Sequence, residues 1–307
     1  MSCTTAAGGD DTIWAYIDNN IKGLIDIDEA TTSKKKIEFV FSSEHLTEIM
    51  RNHDPTSLLD ALQRLSAQEL SVELNAENEI VDVARVTHVP DVHARFREHV
   101  ELMSLGTEHV ELFQQFMAFN WGANNRETLL SGISALPGSI AGLVGDQQLL
   151  RRAADVADAL GEQVGQMGDA SAERFRKALG LDPRVISNYE AADAIDRIWD
   201  QMKGKLPGAT KEVVFGRAPP DGRSHWPRYL AVLTCYGMLN TLGYRSDEQR
   251  ARISGTRRAM SDGVHLANSS FCHVLLTGDK RFAAKARAVF KYHDVSTLVC
   301  EVQRKRS

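Results

Sequence analysis

Short apolar runs near both ends of the chain alternate with segments of helical periodicity. The first run, Thr12 to Asp18, is β-branched and aromatic and stops at an acid, and the second covers Ile37 to Phe41. His273 to Thr277 and Ser296 to Val302 have the same character. Runs of this length and composition predict buried strands. Strands that alternate with helices predict a parallel sheet with helices on both faces.

Helices are predicted directly beside these strands. Ser42-Ser43 is a suitable N-cap for a helix over residues 44–50, and Ser261 is one for a helix over 262–270. A basic helix is predicted over 280–292. The two ends of the chain therefore predict α/β structure.

The middle of the chain, from about residue 55 to 258, has helical periodicity with few strand-like runs. Val213 to Phe215 is a candidate short strand there. Gly and Pro predict breaks at Pro137-Gly138, Leu181-Asp182-Pro183 and Pro219-Pro220-Asp221-Gly222. The clearest predicted helices are 56–66, 90–118, 146–178, 188–203, 226–243 and 247–258. We predict a flexible tail over 1–10, an α/β core over 11–52 and 225–307, and an all-α insertion over 53–224.

Composition narrows the class of protein. The 307 residues are 43% hydrophobic and 25% charged, which is typical of a soluble globular protein. An apolar run of about 20 residues and a signal-peptide pattern are both missing from the sequence, so we expect a cytoplasmic protein without a membrane partner. The four cysteines lack zinc-site spacing and are expected to be reduced thiols. A net charge of -5 argues against an overall basic surface.

Four acids lie where a parallel sheet exposes polar groups. Asp18 closes the first strand and Asp279 follows the strand that ends at Thr277, while Glu48 and Asp262 lie on adjoining helices. Ligands collect at the carboxyl ends of parallel strands. Four converging carboxylates repel one another unless a cation neutralises them, and hard oxygen ligands favour Mg²⁺ or Mn²⁺. Singly, each acid can also be an ordinary strand-end or helix-cap residue.

These segments resemble the motifs of PIN-domain nucleases. Tyr16-Ile17-Asp18-Asn19-Asn20 is similar to the opening strand and acid of that family, and Ser43 to Ile49 is similar to its next strand-to-helix segment. Asp262 to Ala267 resembles the helix that carries the third acid of the family. Thr277-Gly278-Asp279-Lys280-Arg281-Phe282 resembles its Thr-x-Asp-x-x-Phe motif.

The resemblance implies a three-layer α/β/α PIN-like core and a metal-dependent nuclease. It implies Asp18, Glu48, Asp262 and Asp279 as the catalytic metal ligands, with Asn19 and Thr277 as polar support. Such a site hydrolyses phosphodiester bonds with a metal-activated water molecule, and the resemblance implies RNA more than DNA as substrate. The roughly 200 mostly helical residues predicted between Glu48 and Asp262 depart from a minimal PIN domain, which has far fewer at this place.

Cations and histidines near the acids are candidates for contact with nucleic acid. Lys280, Arg281 and Lys285 lie on the helix that begins after Asp279 and either flank the site or form a solvated basic face. His265 and His45 lie beside the acids, where a phosphate contact competes with a purely structural role.

Two other functions remain open from the sequence. Asp26-Ile27-Asp28-Glu29-Ala30-Thr31 resembles the Asp-x-Asp-x-x-Thr motif of haloacid-dehalogenase-like phosphatases, whose first acid is phosphorylated. Alternatively, the chain is a noncatalytic PIN-like scaffold for a protein partner. An intermediate case is a nuclease whose helical insertion binds a partner or another copy, as a bacterial toxin or defence effector requires.

Overall fold

The computed structural model describes most of the chain in eight segments. They are residues 12–18, 36–77, 79–104, 126–141, 147–166, 172–219, 226–245 and 253–302. Asn19, the acidic segment at 26–31 and the predicted tail lie outside these described residues.

Six strands in the described residues form a mixed, mostly parallel sheet in the order β4-β3-β2-β1-β5-β6. Neighbouring strands are parallel, except that β3 and β4 form an antiparallel pair. The strands are β1 (Thr12–Ile17), β2 (Lys36–Phe41), β3 (Gln68–Leu74), β4 (Ile80–Thr87), β5 (Val274–Thr277) and β6 (Leu298–Glu301).

Twelve α-helices and a short 3-10 helix, Lys203–Lys205, account for most of the remaining described residues. The α-helices are α1 (Ser43–Met50), α2 (Pro55–Arg64), α3 (Val92–Ser104), α4 (Arg126–Ala141), α5 (Gln147–Gln166), α6 (Ala172–Leu179), α7 (Pro183–Ile186), α8 (Ala194–Met202), α9 (Lys211–Val214), α10 (Arg228–Leu242), α11 (Ile253–Ser269) and α12 (Lys280–Tyr292). None of the helices in the described residues is long and apolar enough to cross a membrane.

The central strand β1 is buried on both faces because its side chains alternate between two hydrophobic clusters. Ala15 and Ile17 pack with residues of α1, α2 and α3. Trp14 and Tyr16 pack on the opposite face with residues of α10, α11 and α12. This alternation follows from the two-residue period of a strand. The mixed α/β class is therefore confirmed, with helices on both faces of the sheet.

The predicted all-α character of residues 53–224 is wrong between residues 68 and 87. Strands β3 and β4 form a hairpin there that extends the sheet, and β3 pairs with β2. The sheet consequently continues past the predicted boundary at residue 52 and is not wholly parallel. Ile80–Thr87 is an edge strand with many exposed positions, so it carries charged residues that weaken its apolar signal.

Three local predictions also need correction. The break predicted at Pro137-Gly138 falls inside α4, which runs through the proline. Val213 belongs to the short helix α9 and not to a strand. Ser261 is not an N-cap, because α11 begins eight residues earlier, at Ile253, and Ser261 lies in its interior.

Candidate acidic site

The candidate site lies where the strand order changes direction. The chain adds β2, β3 and β4 on one side of β1 and places β5 and β6 on the other side. The carboxyl ends of β1 and β5 therefore border a topological switch point, where open parallel sheets bind ligands. Asp18 directly follows β1, and Thr277 ends β5.

Asp18 is held at this edge by two hydrogen bonds to the segment around the end of β5. Its backbone N–H donates to the carbonyl oxygen of Leu276 at 2.9 Å. Its side-chain Oδ2 accepts a hydrogen bond from Thr277 Oγ1 at 2.6 Å. The residue is only 7% exposed. A buried carboxylate with a fixed orientation is therefore available beside the switch point.

Asp262 brings a second carboxylate from α11. Tyr236 OH donates to its Oδ2 at 3.2 Å. Burial, opposed by the nearby charge of Lys285 and reinforced by that of Asp18, raises the pKa of Asp262 to about 7. The charge of Glu48 adds to this increase. Asp18, Glu48 and Asp262 thus share one electrostatic environment, although they come from three separate elements.

Glu48 faces α11 from α1. Its Oε1 lies 2.5 Å from Ser261 Oγ, and its Oε2 lies 3.3 Å from His265 Nε2. Glu44, one helical turn earlier, also places its Oε1 2.5 Å from the same hydroxyl. Both glutamates therefore face the site side of α1, and the contact with His265 distinguishes Glu48 from Glu44.

A buried polar network behind Glu48 was not anticipated from the sequence. Tyr16 OH lies 2.7 Å from Ser42 Oγ and 2.8 Å from His265 Nδ1. Tyr16 is two residues before Asp18 on β1, so the two side chains lie on the same side of the strand. That spacing, together with a tyrosine in an apolar strand, was the available signal for the network.

His45 belongs to this network as a neutral structural residue. The backbone N–H of Ser42 donates to its Nδ1 at 3.0 Å, so Nδ1 is the acceptor of the ring. The remaining nitrogen, Nε2, then carries the proton and donates to the carbonyl oxygen of Ile17. With both ring nitrogens occupied, His45 joins β1 to α1 and has a structural role.

His265 differs from His45 because the charges of several carboxylates act on its ring. Burial lowers the pKa of its ring, but the contact with Glu48 and the charges of Glu48, Asp18 and Glu44 outweigh this effect and raise the pKa overall. The side chain is 1% exposed. His265 therefore lies between the Tyr16 hydroxyl and the Glu48 carboxylate as a buried group that favours its charged form.

Lys285 differs from the basic helix face predicted by the sequence. It is 2% exposed, its Nζ donates to Asn240 Oδ1 at 3.0 Å, and it lies 4.7 Å from the centre of the Tyr236 ring. Phe282 and Val289, three residues before and four after it, are buried on the same helix face. Lys285 is thus an internal counter-charge near Asp262, whereas Lys280 and Arg281 are exposed as expected.

Asp279 caps the helix that follows β5. Its Oδ1 accepts hydrogen bonds from the backbone N–H groups of Arg281 at 2.7 Å and Phe282 at 3.0 Å. Its own N–H donates to Thr277 Oγ1 at 3.0 Å. Thr277 therefore joins Asp279 to Asp18 through one hydroxyl group. The role of Asp279 as a metal ligand stays a prediction.

The chemistry of these groups fits a divalent cation, although their present spacing does not form a cage. Asp18, Glu48 and Asp262 have the hard oxygen donors that a divalent cation prefers, and the charges of Asp18 and Glu48 raise the pKa of Asp262, an effect that a bound cation would oppose. Within the described segments, no group of three or more His, Cys, Asp or Glu side chains is arranged to hold a metal ion.

Comparisons with protein-family models, with curated proteins and with solved structures find no match for this chain.

Proposed function

We propose that this chain is a metal-dependent nuclease that hydrolyses phosphodiester bonds, with RNA as the preferred substrate. The observation that carries the proposal is the placement of three acids: Asp18 lies at the switch point of the sheet, and Glu48 contacts Ser261 and His265, which flank Asp262 on α11. Three acids from separate elements that repel one another in a partly buried site are costly to keep unless they bind a cation. The motif resemblance around Asp18, Asp262 and Asp279 supports the same chemistry.

Asp18, Glu48 and Asp262 would hold the cation, and Asp279 would join them from the start of α12. Mg²⁺ or Mn²⁺ bound there supplies charge neutralisation and activation of a water molecule for attack on phosphorus. Thr277 orients the Asp18 carboxylate through its hydrogen bond. His265 orients Glu48. Such neighbours fix the direction of a ligand and tune its basicity.

Positive charge near the acids has two distinct roles in this proposal. Buried Lys285 limits the repulsion at Asp262 before a cation binds. Exposed Lys280 and Arg281 begin the helix next to Asp279 and would contact the phosphate backbone of the substrate. The helices α4 and α5 pack against each other and would provide a surface for a protein partner or a second copy, as a toxin or defence effector needs.

The test is cleavage of labelled single-stranded RNA and DNA by the full chain, with Mn²⁺, Mg²⁺ or EDTA. We expect metal-dependent cleavage that is lost in Asp18→Asn and Asp262→Asn. Asp158→Asn, which removes an exposed acid of α5, is the matched control and should cleave normally. Cleavage that survives in EDTA or in both site variants would remove the proposal, and no cleavage by the wild type would favour the scaffold hypothesis.

Asp279→Asn separates the two roles of Asp279. Asparagine caps helices about as well as aspartate, so the variant keeps the cap and removes the charge. We expect normal thermal stability and lost cleavage. Normal cleavage in this variant would limit Asp279 to its capping role.

A further inference from the structure

A second candidate site lies at the opposite end of α12 from the acids. It is a pocket of about 150 Å³ between α8, α9 and the last turn of α12. Asp279 and Lys291 are twelve helical residues apart, so the pocket is roughly 18 Å from the acidic site along the helix axis. The polar residues in its lining are Asp196, Lys211, Arg217, Lys291 and Tyr292.

Positive charge predominates in the lining of this pocket. The lining contains three cationic side chains, Lys211, Arg217 and Lys291, and one acidic side chain, Asp196. Lys211 Nζ lies 2.7 Å from Asp196 Oδ1, and Arg217 is anchored by hydrogen bonds to the backbone oxygen of Tyr292 at 3.1 Å and to Asp294 at 2.5 Å. Lys291 is exposed, and it forms no ion pair with any residue that the structure describes. The pocket thus combines two fixed cations with one available ammonium group.

Tyr292 adds a buried donor to these cations. The side chain is 9% exposed, and among the described residues its hydroxyl has no hydrogen-bond partner. Burial raises the pKa of this hydroxyl, so it keeps its proton at neutral pH and can donate. The Lys211 ammonium and the Arg217 guanidinium lie 5.6 and 5.7 Å from the centre of its ring. A buried donor without an acceptor is costly unless a ligand supplies one.

We propose that this pocket binds the phosphoryl group of a small phosphorylated molecule. Three cations and one hydroxyl donor suit a phosphate dianion, whose oxygens accept several charge-assisted hydrogen bonds. The volume holds a phosphoryl group and the first atoms attached to it, and Ala191, Ile195 and Ala288 offer apolar contact to those atoms. This site is independent of the proposed nuclease chemistry, because it shares no residue with the acidic site.

Calorimetric titration of the full chain with inorganic phosphate and with adenosine monophosphate tests the proposal, in phosphate-free buffer at constant ionic strength. Adenosine serves as the probe without a phosphoryl group. We expect saturable binding of both phosphorylated probes and none of adenosine. Tighter binding of the monophosphate would identify a phosphorylated metabolite as the ligand, and equal affinities would identify free phosphate.

Lys291→Gln should weaken binding of both probes at least fivefold, and Tyr292→Phe should weaken it as well. Lys177→Gln removes an exposed cation of α6 outside the pocket and should bind like the wild type. Lys291 is exposed, so its substitution is expected to leave the melting temperature of the free protein unchanged. Absent binding, equal binding by Lys291→Gln, or binding of adenosine as tight as that of its monophosphate would each overturn the proposal.

Discussion

Thr277 Oγ1 donates a 2.6 Å hydrogen bond to Asp18 Oδ2, although 259 positions separate the two residues in the sequence. The same hydroxyl accepts the backbone N–H of Asp279 at 3.0 Å. One side chain therefore couples the end of β1, the end of β5 and the start of α12. The single proton of the hydroxyl goes to Asp18, and one of its two lone pairs accepts the N–H of Asp279.

Thr277→Val tests whether this hydroxyl orients a functional carboxylate. Valine keeps the shape and the burial of threonine but removes the hydrogen bond to Asp18. On the proposed function, we expect cleavage to fall by about 10–100-fold, as is usual when the partner of a metal ligand is lost. Thr277→Ser should restore most of the rate. The measurement is the initial rate of RNA cleavage at saturating Mn²⁺.

Thr297→Val is the matched control for this experiment. Thr297 is also buried, and its Oγ1 bonds to the carbonyl oxygens of Ser269 at 3.2 Å and Cys272 at 2.7 Å, outside the acidic site. It should lose comparable stability and keep the wild-type cleavage rate. An equal fall in rate for both variants would attribute the effect of Thr277→Val to stability alone.

Glu48 and Glu44 can be distinguished by conservative substitution. Both contact Ser261, but Glu48 also faces His265, and its charge contributes to the raised pKa of Asp262. We expect Glu48→Gln to reduce the cleavage rate at least tenfold and to need a higher Mn²⁺ concentration for activity. Glu44→Gln should change the cleavage rate less than threefold. Cleavage rates measured across a series of Mn²⁺ concentrations test this difference. The reverse order would assign the ligand role to Glu44.

The raised pKa of Asp262 predicts that the folded protein becomes less stable as the pH rises. Its folded-state pKa of about 7 lies above the ordinary value of 3.8, so the folded protein binds this proton more tightly than the unfolded chain. The contribution to stability is full at acidic pH and is lost as the pH rises from about 4 to about 7. At one pKa unit per 1.36 kcal/mol, the loss reaches up to about 4 kcal/mol.

Asp262→Asn should therefore be more stable than the wild type at pH 8 and similar to it at pH 4. Thermal unfolding across this range measures the difference, with Asp158→Asn as the control that follows the wild-type curve. Mn²⁺ at pH 8 should raise the melting temperature of the wild type and have little effect on Asp262→Asn. A parallel pH dependence in wild type and Asp262→Asn would contradict the raised pKa of this partly buried carboxylate.

Strands and helices near both ends of the chain were predictable because each is specified locally. β1 and β5 are apolar runs that end in polar residues, and α12 begins at a capping acid. β3 and β4 were missed because a hairpin at the sheet edge needs few apolar residues, and its strands pair with each other as well as with β2. Such pairing depends on tertiary contacts that local periodicity does not contain.

The sequence identifies the acids of the candidate site, but it does not show which of them lie close together or what they contact. Asp18 follows from the local pattern of β1 and Asp262 from the motif resemblance, whereas their shared environment depends on how β1, β5 and α11 meet. The burial of Lys285 was not predicted, because its charge was given more weight than its position on the same helix face as Phe282 and Val289. A buried lysine requires a nearby carboxylate and amide, and those partners come from α10 and α11, far away in the sequence.

The ion pair between Glu69 and Arg95 predicts how firmly the β3–β4 hairpin is attached to α3. Glu69 is buried, and Arg95 binds its two carboxylate oxygens with Nε at 2.7 Å and Nη2 at 2.8 Å. Arg95→Ala leaves a buried carboxylate without its partner and should lower the free energy of unfolding by about 3 kcal/mol. Arg85→Ala removes the exposed partner of Glu73 and should cost under about 1 kcal/mol. Urea unfolding of both variants measures the difference, and similar losses would mean that the bidentate pair adds no more stability than a surface contact.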